Sequence, residues 1–362
     1  MVQQQCKILR SIRQQALYRL IFGNYTVHPG PMKTNRRRFI HKSLLMTAGI
    51  SSGLNSFSKE KLSVPNQSEK TLPADTENDS LKLSIFSKHL QWLNYAEMAQ
   101  VAAQIGFDGV DITVRPGGHV LPERVSEDLP KAVDAVKKAG MNVYMITTAI
   151  TDADEPNTEN ILKTASALGI QHYRMGWFNY DPQKNIEDSL SDIEAQLGKL
   201  AVLNQKHSIY GEYQNHSGAY FGAPIWDLYT VLKRINSRWL GSQYDILHAT
   251  VEGTNSWPIG LKLLKPYIKS VDIKDFQWAK KEGKWITEIV PLGEGLVDFK
   301  GYLNALKLYG IGVPVSMHYE YPLGGAEHGG TTLAIERKEV ISAMQKDLSA
   351  FKVLLRSAGL IK

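Results

Sequence analysis

The chain has 362 residues, of which 43% are hydrophobic and 22% charged, the composition of an ordinary globular protein. A single α/β barrel of about 250 residues would use most of that length, and one cysteine excludes an intrachain disulfide and a cysteine-rich zinc centre. The net charge of +6 points towards nucleic acid until it is divided by segment. Residues 1–58 hold nine Lys/Arg and no Asp/Glu, which leaves 33 basic and 36 acidic residues, a net of −3, for residues 59–362. A mildly acidic body without a basic groove speaks against a nucleic-acid partner. No run of 18 apolar residues is present, so no spanning helix of normal length is expected.

In chain order, residues 1–58 read as an address, not as part of the fold. Asn35-Arg36-Arg37-Arg38-Phe39-Ile40-His41-Lys42 resembles the twin-arginine export signal, and the modest apolar stretch Leu44–Ile50 and small residues through Ser58 follow in the order of a signal peptide. Met32, four residues before the arginines, reads as the true start. Export implies a periplasmic protein with no stable membrane insertion after cleavage. Cys6 falls in the discarded part, so the mature chain carries no thiol, which suits an oxidising compartment. Residues 59–80 are polar and rich in Pro, Asn, Asp and Ser, and read as a flexible linker.

From Leu81 to Ser357 short apolar runs alternate with amphipathic segments. The runs are Lys82–Ser87, Gly109–Val114, Asn142–Thr147, Gln171–Trp177, Ser208–Gln214, Gly241–Ile246, Ile268–Lys274 and Val313–Tyr319. Helical periodicity covers Tyr95–Ile105, Pro130–Lys138, Asn160–Leu168, Ile186–Leu203, Trp226–Ile235, Phe299–Leu308 and Glu336–Ser357. Phe276–Val290 reads as a β-hairpin after the seventh run. Strict alternation argues a parallel sheet, and eight units argue closure into a single (β/α)8 TIM barrel. An open doubly wound sheet usually shows a Gly-rich phosphate turn after its first strand, and none follows Lys82–Ser87.

A barrel keeps its chemistry at the C-terminal ends of its strands. Here the fifth run ends in Glu212, Gln214 and His216 on one face, the sixth in Asp245 with His248 after it, the seventh in Asp272 and Lys274, and the eighth in His318 and Glu320. Any one of these residues has a plain alternative as a helix cap or a satisfied core group. Four strands ending this way are harder to explain so, because such groups buried without partners cost several kcal/mol each, on the order of 2–7. A shared metal or polar ligand would satisfy them together, and oxygen and imidazole donors suit Mn²⁺, Mg²⁺, Co²⁺ or Zn²⁺.

In this order and spacing the residues resemble the xylose-isomerase-like barrel superfamily of sugar isomerases, ketose 3-epimerases, inosose dehydratases and DNA repair enzymes of the endonuclease IV type, the last disfavoured by export and the mildly acidic body. The markers are Gly106-Phe107-Asp108-Gly109-Val110-Asp111, Gln214-Asn215-His216, Asp245 with His248, Ile273-Lys274-Asp275 and Gly293-Glu294-Gly295. In the epimerase branch a Glu, an Asp, a His and a Glu hold a divalent metal, and the two Glu residues exchange the proton. The corresponding positions here are Gln214, Asp245, Asp272 and His318, so the resemblance implies a metal on these four with His248 beside them. Only Asp245 is unchanged, and Gln214 removes a titrating base. The expected proton-transfer groups are therefore His318, Glu320 and Glu212, with Lys274 stabilising an enolate oxygen.

Further candidates surround these strand ends. Arg115 and His119 flank a Gly-Gly turn, and Glu327 and His328 sit in a Gly-rich loop after the eighth run that reads as a lid over the mouth. Trp177, Tyr213, Trp257, Trp278, Tyr319 and Tyr321 crowd the same end in sequence, and His216, Trp177 and Trp257 are the expected sugar contacts. These features imply an exported isomerase or epimerase for a free or oxidised carbohydrate. The alternatives are a lyase or dehydratase on a keto-sugar or glycoside, and a non-catalytic carbohydrate-binding protein. No Gly-x-Ser-x-Gly elbow supports a hydrolase. Homo-oligomerisation stays open.

Overall fold

Each apolar run forms a strand because β-branched and aromatic residues line it without helical periodicity, and each amphipathic segment forms a helix that buries one face. The computed structural model describes residues 81–362. The export segment, Met32, Cys6 and the 59–80 linker lie outside the described residues.

Strands β1 (Leu83–Phe86), β2 (Gly109–Val114), β3 (Met145–Thr148), β4 (His172–Arg174), β5 (Tyr210–Gln214), β6 (Leu240–Asp245), β7 (Ile268–Ile273) and β10 (Val315–Met317) pair in parallel and close into one barrel in the order β1-β10-β7-β6-β5-β4-β3-β2. The (β/α)8 barrel is therefore the fold. Strands β2 and β6 are buried along their whole length, as strands covered on both faces must be. The insert after β7 is the antiparallel hairpin β8 (Asp275–Lys281) and β9 (Lys284–Val290), as expected.

The helices are α1 (Tyr95–Ile105), α2 (Val125–Lys138), α3 (Thr158–Ala167), α4 (Ile186–His207), α5 (Trp226–Ile235), α6 (Ile246–Gly253), α7 (Trp257–Leu264), α8 (Phe299–Tyr309) and α9 (Arg337–Ala358). Local signals fix several ends. Asn94 and Glu97 make a reciprocal capping box at α1, and Gly106 at φ +105° ends it, a backbone region that costs glycine nothing. Three helices differ from the periodicity. Pro130 marks a helix start in sequence, but α2 begins at Val125 and carries Pro130 inside, with Glu127 and Asp128 in its first turn. Helices α6 and α7 are eight residues each and mostly apolar, and helical periodicity in the sequence did not mark them. Among the described residues no helix is long and apolar enough to cross a membrane.

One apolar core lies between barrel and helices. Tyr213 and Tyr319 belong to it and not to the mouth. Tyr213 donates its hydroxyl to the Phe221 carbonyl at 2.8 Å, and Tyr319 donates to the Met344 carbonyl at 3.2 Å. Asp275, beside Lys274, accepts from the backbone N–H groups of Gly293, Gly295 and Val297 at 2.9–3.1 Å. A Cβ on Gly295 would stand 2.3 Å from its carboxylate, so this close approach requires glycine. The Gly293-Glu294-Gly295 motif is thus a structural staple of the loop before α8.

Candidate active site

Strand alternation turns Glu212 and Gln214 inward from β5, and the two residues open two different floors of the barrel. Glu212 lies roughly 6–7 Å deeper and has no exposed surface. Its carboxylate faces His172 Nδ1 at 2.5 Å on β4 and accepts the Ser270 hydroxyl from β7. The expectation of Glu212 as a catalytic base is therefore corrected: it is closed into the barrel interior by its own partners.

Gln214 organises the upper floor. Its Oε1 accepts from Arg174 Nη1 at 2.9 Å, which fixes the amide orientation, so Nε2 donates to Asp245 Oδ2 at 2.9 Å and to Asp272 Oδ2. Lys274 Nζ lies 3.2 Å from both Asp245 Oδ2 and Glu320 Oε2, and Lys88 Nζ lies 2.7 Å from Glu320 Oε1. His318 stacks on Phe86 at 4.4 Å between ring centroids. Its Nε2 is 3.4 Å from Asp272 Oδ1 and its Nδ1 is 3.8 Å from Glu320 Oε1. Asp245 also caps α6, accepting from His248 N at 3.1 Å through Oδ1, so the plain helix-cap role and a place in the site coexist in one carboxylate. His248 stacks on His216 at 3.8 Å, and His216 stands 4.8 Å from Trp177.

The electrostatics follow from burial and pairing. Burial works against the Lys274 ammonium, but Asp245 and Glu320 outweigh it and raise its pKa. Burial would lift Glu320, yet Lys274, His318 and Lys88 hold it well below the usual carboxylate range. Burial opposes the His318 imidazolium, and Asp272 and Glu320 overcome that and raise its pKa. His248 goes the other way: burial, reinforced by Lys274, keeps it neutral. Asp111, held by the hydroxyls of Thr147 at 3.0 Å and Ser316 at 2.8 Å, is pushed up to about 6 by burial. Several buried polar atoms of the upper floor make no hydrogen bond among the described residues: Asp272 Oδ1, both ring nitrogens of His318, His248 Nε2, Arg174 Nε and Trp177 Nε1. Each costs about 1–3 kcal/mol unless a polar ligand or water meets it.

Gln214, Asp245, Asp272, His318 and His248 do come together, but their arrangement does not fit a divalent ion. Among the described residues no group of three or more His, Cys, Asp or Glu converges to hold a metal. The amide N–H₂ of Gln214, held in that orientation by Arg174, points between the two carboxylates, and the Lys274 ammonium shares Asp245 Oδ2. A cation is repelled where hydrogen-bond donors already converge. The expected metal set is thus corrected to an amide- and ammonium-bridged carboxylate cluster.

The remaining candidates divide. Arg115, at the end of β2, reaches to 5.4 Å over Phe86, and Trp177 lies under Arg174 at 5.0 Å, so both border the upper floor. His119 is packed beside Tyr95 at 6.4 Å, and burial lowers its pKa to about 4. Trp257 sits on α7 against Tyr302 at 6.0 Å, outside the barrel wall, so it is no sugar contact in this arrangement. Glu327 locks its own turn, accepting from Leu323 N at 2.9 Å and Gly325 N at 2.8 Å, while the His328 side chain is 84% exposed. The loop is pinned to the segment after β1: His89 Nδ1 donates to the Ala326 carbonyl at 3.2 Å and His89 Nε2 accepts from Tyr319 N at 3.0 Å. Trp278 lies on the hairpin and is exposed, and Tyr321 is buried.

Sequence reasoning passed over Arg174, Lys88 and Phe86, and took Asp111 only as part of a family marker. The available signals were an arginine inside the apolar fourth run, a lysine directly after the first run, and an aspartate flanked by Val110 and Ile112 within the second.

A family model described as xylose isomerase-like TIM barrel matches residues 99–340. No curated protein matches the sequence. Among solved structures, D-allulose 3-epimerase from Methylomonas sp. superposes with a TM-score of 0.57 at 16% identity, over 76% of this chain and 98% of that one. The 3-keto-D-glucoside 4-epimerase of E. coli gives 0.57 at 14% identity, over 75% and 99%. A probable 3-DHS dehydratase from Bacillus anthracis gives 0.57 at 16% identity, over 74% and 99%. At these identities the likeness is one of fold.

Proposed function

The chain belongs to the xylose isomerase-like TIM barrel family, and on that premise we propose that it is a carbohydrate isomerase or epimerase moving a proton at the carbon beside a carbonyl. The observation that carries this reading is His318, whose ring nitrogens make no hydrogen bond among the described residues and lie between the carboxylates of Asp272 and Glu320, one step past the Met317–Ile273 pair and so level with Lys274 across the β7–β10 pairing. In its neutral form His318 takes the proton from the substrate carbon. The carbonyl oxygen gains the negative charge, and the Lys274 ammonium, already oriented by Asp245 and Glu320, stabilises it. Return of a proton to the former carbonyl carbon, with the hydroxyl proton of the first carbon passing to the enolate oxygen, completes isomerisation. Return to the opposite face of the same carbon, from a second, protonated group on that face, completes epimerisation. No metal enters these steps.

A lyase is the second reading, and Gln214 favours it. The amide cannot titrate at the position where the epimerase branch keeps a base. One acid–base group on one side suffices to remove a proton and then protonate a departing hydroxyl. We place the reaction outside the cytoplasm, on the Asn35–Lys42 run.

The test is solvent deuterium incorporation. Ketoses, keto-sugars and 3-keto-glycosides are incubated with the protein in D₂O and followed by NMR. The wild type is expected to exchange the carbon-bound proton, and H318Q to exchange on the order of 10²–10⁴-fold more slowly. Exchange by folded H318Q at the wild-type rate removes His318 from the reaction. Exchange accompanied by loss of a hydroxyl selects the lyase.

A further inference from the structure

Three basic side chains gather around one phenyl ring at the barrel mouth. Lys88 Nζ lies 5.7 Å, the Arg115 guanidinium 5.4 Å and the Arg174 guanidinium 5.5 Å from the centroid of Phe86, the last residue of β1. Lys88 is neutralised by Glu320 at 2.7 Å. The two guanidinium groups are not neutralised: among the described residues neither has a carboxylate within ion-pair distance. Among the described residues the Arg174 side chain makes one hydrogen bond, to the neutral Gln214 amide, and its buried Nε makes none. Arg115 makes no side-chain hydrogen bond among the described residues and rests on the face of an apolar ring. Two unpaired, largely buried guanidinium groups brought to one ring repel each other, and a folded protein keeps such a pair at a cost in stability.

Both groups are presented firmly. Arg174 ends β4 and is held by Gln214 and by stacking over Trp177. Arg115 begins a tight turn in which its N–H donates to the Val120 carbonyl at 3.1 Å and its carbonyl accepts from Gly118 N at 2.9 Å. A Cβ on Gly118 would come within 3.0 Å of Thr113, so the turn that aims Arg115 depends on glycine there. The two anchors leave the ends of β2 and β4, on either side of β3.

Resting on the proposed carbohydrate reading, we infer that the substrate is a sugar acid whose carboxylate is bound between Arg115 and Arg174 over Phe86. A guanidinium presents in-plane donors that match a carboxylate. The placement of the charges favours a monoanion over a dianion. Lys88 and Lys274 are cancelled by Glu320 and Asp245, which leaves two guanidinium groups facing a floor that still holds Asp111 and Asp272. A carboxylate meets the two guanidinium groups that have no carboxylate at ion-pair distance among the described residues, and the second charge of a phosphate dianion adds repulsion from Asp111 and Asp272.

The experiment is calorimetric titration of the full chain with D-glucuronate, D-galacturonate and D-gluconate, each against its neutral counterpart D-glucose, D-galactose or D-glucitol, and with D-glucose 6-phosphate. At least one acid is expected to bind ten-fold or more tightly than its neutral partner and than the phosphate. R115Q and R174Q are expected to erase the preference, and R115K to restore part of it. Equal binding of acids and neutral sugars overturns the inference, as does a preference that survives both variants or a phosphate that binds tightest. Deuterium exchange separates this outcome from the parent reading. Exchange with neutral ketoses alone overturns the sugar acid and leaves proton transfer standing. Arginine-dependent binding of an acid without exchange in any substrate does the reverse.

Discussion

Glu212 and Gln214 stand two residues apart on one face of β5, and both are almost fully buried, yet they belong to different chemistries. Glu212 meets an imidazole and a hydroxyl, and both its oxygens are occupied. Gln214 stands among groups that are only partly occupied: Asp272 Oδ1, His248 Nε2 and both nitrogens of His318 make no hydrogen bond among the described residues. A polar interior that closes on itself specifies and rigidifies a barrel. One that leaves donors and acceptors over is built for something that arrives from outside. Depth along a strand, and not residue type, separates the two.

Four experiments sharpen or break this contrast. The largest effect is expected at Lys274, whose side chain is 2% exposed between two carboxylates. K274M leaves Asp245 and Glu320 without that partner and is expected to cost about 3–5 kcal/mol in urea unfolding, with loss of turnover. Unfolding at the wild-type urea concentration would show that the upper floor does not depend on the ammonium. Next comes Asp111. Its carboxyl is raised from 3.8 to about 6, so the folded state favours the protonated form. That contribution is complete below pH 3.8 and is lost as pH rises through 6, a decline of up to about 3 kcal/mol. D111N is expected to flatten this part of the stability–pH curve, and an unchanged slope assigns the dependence elsewhere. E212Q disturbs only the lower floor. It is expected to cost about 1–3 kcal/mol with kcat within a few-fold of wild type. A loss of more than ten-fold in a folded E212Q protein would carry chemistry down to Glu212 and erase the distinction. The smallest effect is expected from prolonged dialysis against EDTA, which leaves activity within two-fold. Activity lost on chelation and restored by Mn²⁺ would mean that a divalent ion displaces the Gln214 amide and Lys274 from the carboxylates.

Much of the site was legible in the sequence, though not its internal arrangement. The run ends delivered Gln214, Asp245, Asp272, Lys274, His318 and Glu320 to one place, because parallel strands of a barrel share a C-terminal end. The same reasoning also sent Tyr213 and Tyr319 to the mouth. Alternation along their strands turns them outward into the helix layer, where their hydroxyls find main-chain carbonyls. Trp257 was misread for a related reason: α7 is only eight residues long and was not recognised as a helix, so the sequence did not place Trp257 outside the barrel wall. Arg174 and Lys88 were passed over because one lies inside an apolar run and the other in a short turn, and neither context marks a functional residue by itself.

The sequence by itself determined the eight-fold alternation, the closed parallel barrel, the hairpin after β7 and the set of strand ends that face the mouth, because periodicity and turn residues are local properties that each segment carries alone. Only the tertiary structure decided how those strand ends pair. Arg174 on β4 fixes the Gln214 amide on β5, which then places N–H groups between carboxylates from β6 and β7. Lys274 lies between Asp245 on one side and Glu320 on the other. Whether a cluster of oxygens and imidazoles holds a metal, an ammonium or a substrate depends on distances of a few tenths of an ångström between residues far apart in the chain, and no local pattern encodes them.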